Sequence, residues 1–183
     1  MSQPENAASV TAPALVIRNG QVENDTWLNI HDDQALAAAP AGAAVLVPLS
    51  LWLSSRAALL ARGQVGVHLG AADEPAQLAP DLASLTLISV DFPQFTDGRG
   101  YSIGRLLRER YGYQGELRAV GDVQRDQLFY LTRSGFNAFV LRADKDPYKA
   151  LTAHRDFSEA YQTAVDQPVP LFRRRQAVLA GRT

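Results

Sequence analysis

The sequence predicts a mixed α/β domain of about five strand–helix units around a mainly parallel sheet, preceded by an N-terminal hairpin. Both an open doubly wound sheet and an incomplete barrel fit this pattern. Three observations lead there. From residue 33 onward, short apolar runs alternate with segments of helical period, as when strands are covered by helices on both faces. The length of 183 residues suits one domain, within the usual range of roughly 100–200 residues. Apolar residues make up 46% and charged residues 20%, which excludes a disordered chain, a collagen-like fibre and a coiled coil.

Residues 1–14, rich in Ala, Ser, Pro and Asn, read as a disordered leader. Leu15–Arg18 and Thr26–Ile30 read as the two arms of a hairpin turning at Asn19-Gly20, a pair that tolerates positive φ. Ala43–Leu49 follows as a strand, and Ser50–Arg62 as a helix with Ser50 as its N-cap and Gly63 as its stop. Val65–Leu69 is the next strand. Asp73–Ser84 is a short helical stretch interrupted by proline, and Leu85–Asp91 a further strand. Tyr101–Tyr113 carries Ile103, Leu106, Leu107 and Tyr111 at helical spacing. Glu116–Val120 is a strand, Asp122–Ser134 a helix stopped by Gly135, Phe136–Leu141 a short strand, and Pro147–Val165 a closing helix with proline in its first turn. The single α/β domain then spans residues 15–166, and residues 167–183 form a basic tail around Arg173-Arg174-Arg175, the pattern of a solvated terminus.

Composition removes several chemistries. Cysteine is absent, so there is no disulfide, thiol nucleophile, cysteine-held iron–sulfur cluster or thiolate zinc site. Three histidines (His31, His68, His154) offer little for a histidine-rich metal centre, and no metal site is expected. A net charge of −1 and scattered aromatics give no reason to expect nucleic acid as a partner. No stretch approaches the ~18 apolar residues of a membrane span, and the polar start has no basic residue before Arg18, so a cytoplasmic location is expected. Charge is nonetheless uneven. Residues 1–91 sum to −6 and residues 97–142 to +3, with sixteen Arg against two Lys in the whole chain. Arginine is the bidentate donor suited to oxyanions, although a solvated helix face is the commoner use of such residues.

In parallel sheets and barrels, sites form beyond the carboxyl ends of the strands. His68, Asp91, Asp122 and Asp144 fall there. Asp91 and Asp122 are candidate general bases, with the ordinary alternative that Asp122, after Gly121, caps the next helix. His68 reads first as a packed, hydrogen-bonded rim residue. The loop Asp97-Gly98-Arg99-Gly100-Tyr101-Ser102-Ile103-Gly104 opens a helix after a strand. Gly98 and Gly100 could expose backbone N–H groups to a small anion, with Arg99, Ser102, Arg105 and, from the neighbouring loop, Arg125 completing a cradle. The spacing is not that of a dinucleotide fingerprint and no Walker lysine is present, so no cofactor is assigned. The alternative is a tight turn with Ser102 capping the helix.

The run Asp91-Phe92-Pro93-Gln94-Phe95-Thr96-Asp97-Gly98-Arg99-Gly100-Tyr101-Ser102, then Arg105-Leu106-Leu107-Arg108, Gly115 to Val123, Arg125-Asp126-Gln127-Leu128 and Ser134-Gly135-Phe136, resembles a bacterial family of uncharacterised proteins labelled as oxidoreductases involved in sulfite reduction. The likeness is close over residues 85–142 and loose in the N-terminal half. It departs at Ser134, where relatives commonly carry cysteine, so this position supplies no thiol here. The resemblance implies an accessory or oxidoreductase-associated protein of assimilatory sulfite reduction, with a sulfite reductase component or a small anion as partner. It brings no catalytic residues with it. The alternative from the residues is a small α/β enzyme acting on a phosphorylated or carboxylated metabolite, its arginines holding the anion and Asp91 or Asp122 serving as base or binding Mg²⁺.

Overall fold

The structure, a computed structural model, describes residues 14–153 and 163–180. Most of the expected leader, the middle of the expected closing helix and His154 lie outside the described residues. The strands are β1 (Leu15–Arg18), β2 (Gln21–Asn24), β3 (Leu28–Asn29), β4 (Val45–Pro48), β5 (Val65–Leu69), β6 (Leu87–Phe92), β7 (Glu116–Gly121) and β8 (Ala138–Phe139). The helices are α1 (Asp33–Ala38), α2 (Leu49–Arg62), α3 (Arg99–Arg105), α4 (Leu128–Arg133), α5 (Pro147–Ala153) and α6 (Leu171–Ala180). All eight strands form one mixed sheet in the order β2-β1-β8-β7-β6-β5-β4-β3, curled into a half barrel.

That order separates the two architectures the sequence left open. From β3 to β8 each strand adds beside the one before it, parallel and with no reversal. Crossovers that always advance the same way put helices on one face, as in a barrel; a doubly wound sheet needs a reversal. Burial agrees. Val45, Val47, Val65, Val67, Ile88, Val90, Leu117 and Ala119 enter one core with Trp52 and Leu59 of α2, Ile103 of α3, and Leu128 and Leu131 of α4. The alternate strand residues Leu46, His68, Ser89 and Arg118 stand outside that core, on the concave face. Helices therefore cover one face rather than two.

The N-terminal turn forms at Asn19-Gly20, with φ 51° and 71°. A two-residue turn of this kind pairs the residues beside it at once, so Arg18 faces Gln21 and the second arm is Gln21–Asn24. The expected arm Thr26–Ile30 instead supplies β3, which pairs parallel with β4 at the far end of the sheet. β1 pairs antiparallel with β8 through Ile17–Phe139 and Arg18–Ala138.

Other elements shift for local reasons. Pro48, not Ser50, is the N-cap of α2, while Gly63 (φ 106°) stops it as expected. Between β5 and β6 the prolines allow only two 3-10 turns, Pro75–Leu78 and Leu82–Ser84, so the repeat of strand and helix is broken there. Trp52, fully buried, donates its indole N–H to Asp81, which also binds Arg56 and so ties α2 to this crossover. α3 runs into a π turn, Leu106–Arg110. The chain around α4 begins with a 3-10 turn, Arg125–Gln127, capped by reciprocal Gln124 and Gln127 bonds; Asp122 is not the cap. The expected closing helix ends its described part at Ala153, and Ala164–Gln167 is a bridged turn. Part of the basic tail is helical, as α6.

Candidate functional site

Two regions draw on the parallel strands, one on the concave face and one on the loops beyond their carboxyl ends. The first is the mouth of the concave face. Strand register aligns Pro48, His68, Ser89, Arg118 and Ala138 in one row across β4 to β8. His68 Nδ1 and Ser89 Oγ are 2.8 Å apart, and Ser89 is completely buried. Burial holds the pKa of His68 below its ordinary value, against the opposing pull of Asp91 and Asp73, so the ring is neutral near pH 7. Arg118, 1% exposed, is clasped by Asp25 and Glu116, each at 2.8 Å. Glu116 also pairs with Arg18 at 2.8 Å, which in turn meets Glu23 at 2.9 Å. Asp25 reaches Arg118 across 93 residues of sequence, so the segment after the hairpin closes over the strands. Between them lies a cavity of about 290 Å³.

The second region is the outer rim built by the loops after β6 and β7. The two loops touch. The Asp122 carboxylate accepts from Phe95 N at 3.0 Å, and the Gln127 amide donates to Phe95 O at 3.4 Å. Asp122 also accepts from Arg142 (3.0 Å) and from Gln124 (3.3 Å), and Arg142 donates to Asp144 at 2.6 Å. That ion pair holds the Asp144 carboxyl well below the usual range. Of the four strand-end residues, His68 and Asp91 thus lie in electrostatic reach of each other, while Asp122 and Asp144 share one arginine.

The glycine-bearing loop is organised by packing. A Cβ on Gly100 would lie 2.6 Å from the Phe92 ring, and one on Gly104 2.5 Å from the Phe136 ring. These glycines, four apart on one face of α3, let the helix settle onto two buried rings that meet edge-to-face at 5.7 Å. Gly98 is the N-cap and bonds through no side chain; Ser102 lies inside the helix and does not cap it. Arg99 donates to Asp97 through both Nε and Nη2, the latter at 2.6 Å, which depresses the Asp97 carboxyl to about 2. Arg105 turns along the helix to Glu109 at 3.1 Å. Arg125 follows Gln124 at the start of its 3-10 turn. Arg99 and Arg105 therefore meet carboxylates of their own segment, not each other. Ser134, 6% exposed, donates to Tyr130 O at 3.0 Å and is spent on helix packing.

Sequence reasoning missed Ser89, Arg118 and Asp25. The signal was present. In Ser89-Val90-Asp91 and Glu116-Leu117-Arg118 polar residues recur at every second position, the alternation of a sheet covered on one face. Among the described residues no group of three or more His, Asp or Glu is placed to hold a metal ion, and no helix is long and apolar enough to cross a membrane.

Fold and site define a one-sidedly wound α/β half barrel with a polar mouth and an aromatic rim. Over residues 66–172 the chain matches the family described as bacterial protein of unknown function (DUF934), and it belongs to that family. Comparison with curated proteins and with solved structures gave no match.

Proposed function

We propose that this protein is an accessory component of assimilatory sulfite reduction that docks on a reductase component through the rim of the β6 and β7 loops. The resemblance carried by Asp91–Ser102 and Gly115–Leu128 supports the pathway. One observation supports docking in particular: these same segments share one rim, which carries exposed aromatic surface. Phe95 is 44% and Tyr130 58% exposed, and the Tyr130 ring meets that of Tyr101 at 4.9 Å, tilted by 60°. Aromatic side chains left in water beside paired charges are the usual anchors of protein interfaces. Sulfite reduction needs six electrons, and a chain without cysteine has no ligands for a cluster, so a partner or a bound organic group would supply them.

The alternative, an enzyme that uses Asp91 or Asp122 as base and Arg99, Arg105 and Arg125 as an anion cradle, has less support. Asp122 accepts from three donors, and Arg99 and Arg105 are already bound to carboxylates. The test is genetic and biochemical together. A deletion strain should grow poorly on sulfate and normally on cysteine, and the tagged protein should co-purify with sulfite reductase. The Phe95→Ala, Tyr130→Ala double variant, checked for folding by circular dichroism, should lose both rescue and co-purification. Normal growth of the deletion strain on sulfate would overturn the reading.

A further inference from the structure

The rim leaves the concave cavity unused, and its construction points to a ligand of its own. It runs over the concave face from the middle of β6 and β7, at Ser89 and Arg118, toward the strand ends at Pro48, His68 and Val120, with Asp25, Asn29 and His31 of the segment after the hairpin on the other side. Barrel-type folds place their ligands toward the carboxyl ends of the strands, the direction in which this cavity opens, because side chains from several strands converge there. Leu46, Pro48, Val120 and Val140 make most of the wall apolar. The polar groups are few and oriented. His68 has one ring nitrogen fixed by buried Ser89, which leaves Nε2 as its remaining hydrogen-bonding atom.

Charge decides which head group fits. The cations on this face are already matched: Arg118 by Asp25 and Glu116, and Arg18 by Glu116 and Glu23. Three carboxylates thus serve two guanidinium groups. Burial, with a smaller contribution from His31, keeps His68 from adding positive charge near pH 7, while Asp91 and Asp73 act on it electrostatically from outside the lining. An anion entering here meets no unmatched cation and loses its hydration; a protonated amine enters a field of surplus negative charge.

We propose that this cavity binds a small, mainly apolar molecule bearing a protonated amine, and that it rejects anions of the same shape. The proposal is independent of docking at the rim, since the two use different surfaces and different assays.

Near-isosteric probes test it on the full-length protein: 2-phenylethylamine, 2-phenylethanol and phenylacetate. Binding is followed by calorimetry and by amide shifts in the NMR spectrum. The amine should bind at least tenfold more tightly than the acid, the alcohol should fall between them, and the shifts should centre on His68, Ser89 and Val120. Asp91→Asn should shrink the ratio of amine to acid affinity. Leu46→Trp, which fills the cavity from its wall, should abolish binding of all three. If Asp91→Asn fails to fold, the ratio measured on the unaltered protein decides. Acid binding as tightly as amine, shifts confined to other surfaces, or no binding by any probe would each overturn the proposal.

Discussion

Replacing Gly104 by alanine sets two effects of opposite sign against each other. In a helix interior alanine is favoured over glycine by about 1 kcal/mol, so propensity alone predicts a more stable protein. The structure predicts the reverse. The new methyl would lie 2.5 Å from one atom of the Phe136 ring and 2.8 Å from another, where van der Waals contact needs at least 3.4 Å. The ring cannot swing aside. Phe136 is 1% exposed and packs edge-to-face on Phe92, which is equally buried and touches Tyr101 at 5.1 Å. Overpacking a tight core costs roughly 1–3 kcal/mol, so the net change is a loss of up to about 2 kcal/mol once propensity is credited. For a chain of this size that lowers Tm by up to about 8 °C, within reach of calorimetry. A double-mutant cycle isolates the cause. In a Phe136→Leu background, which removes ring atoms from the collision, Gly104→Ala should cost at least about 1 kcal/mol less than in the wild type. A Gly104→Ala protein that melts higher than wild type, or a cycle with no coupling, would refute the packing account of the glycine motif.

Three further outcomes follow from the site. Arg118→Met leaves Asp25 and Glu116 as facing carboxylates with their shared cation gone, and should cost about 3–5 kcal/mol in urea unfolding. His68 has a lowered folded-state pKa, so the unfolded chain binds the proton more readily, and wild-type stability should fall as pH drops below about 6.5. His68→Gln should flatten that slope between pH 7 and 5, as read from denaturation midpoints. Asp122→Ala removes the acceptor that joins Phe95 N and Arg142, so amide exchange at Phe95 should speed up at least tenfold while amides of the β6 core keep their protection.

Much of the fold was legible because apolar runs and their stops depend on nearby residues. Val65–Leu69 matches its strand end for end, Gly63 and Gly135 end helices in positive-φ conformations, and the crossover holding Pro75 and Pro80 is short and irregular as its prolines require. The failures arose where distant partners decide. Nothing local tells Leu28–Asn29 to pair with β4 rather than β1, whereas the two-residue turn at Asn19-Gly20 by itself makes Gln21–Asn24 the second arm of the hairpin. Gly98, Gly100 and Gly104 look alike in sequence. Only the positions of Phe92 and Phe136, set by β6 and by the turn after α4, show that two of them are packing residues. Arg118 and Asp25 stand 93 residues apart, a separation over which no spacing rule operates.

The pairing of β1 with β8 has a consequence for how the molecule is made. About 120 residues separate the two strands, and closing so long a loop is entropically unfavourable until the intervening units have formed a surface to receive it. During synthesis the first hairpin therefore has to wait on the ribosome for the last strand, its backbone edge and Ile17 unprotected in the interim. A late, slow phase of refolding in which the hairpin arrives last, with Asp25 reaching Arg118 at that moment, is the kinetic signature this connectivity implies.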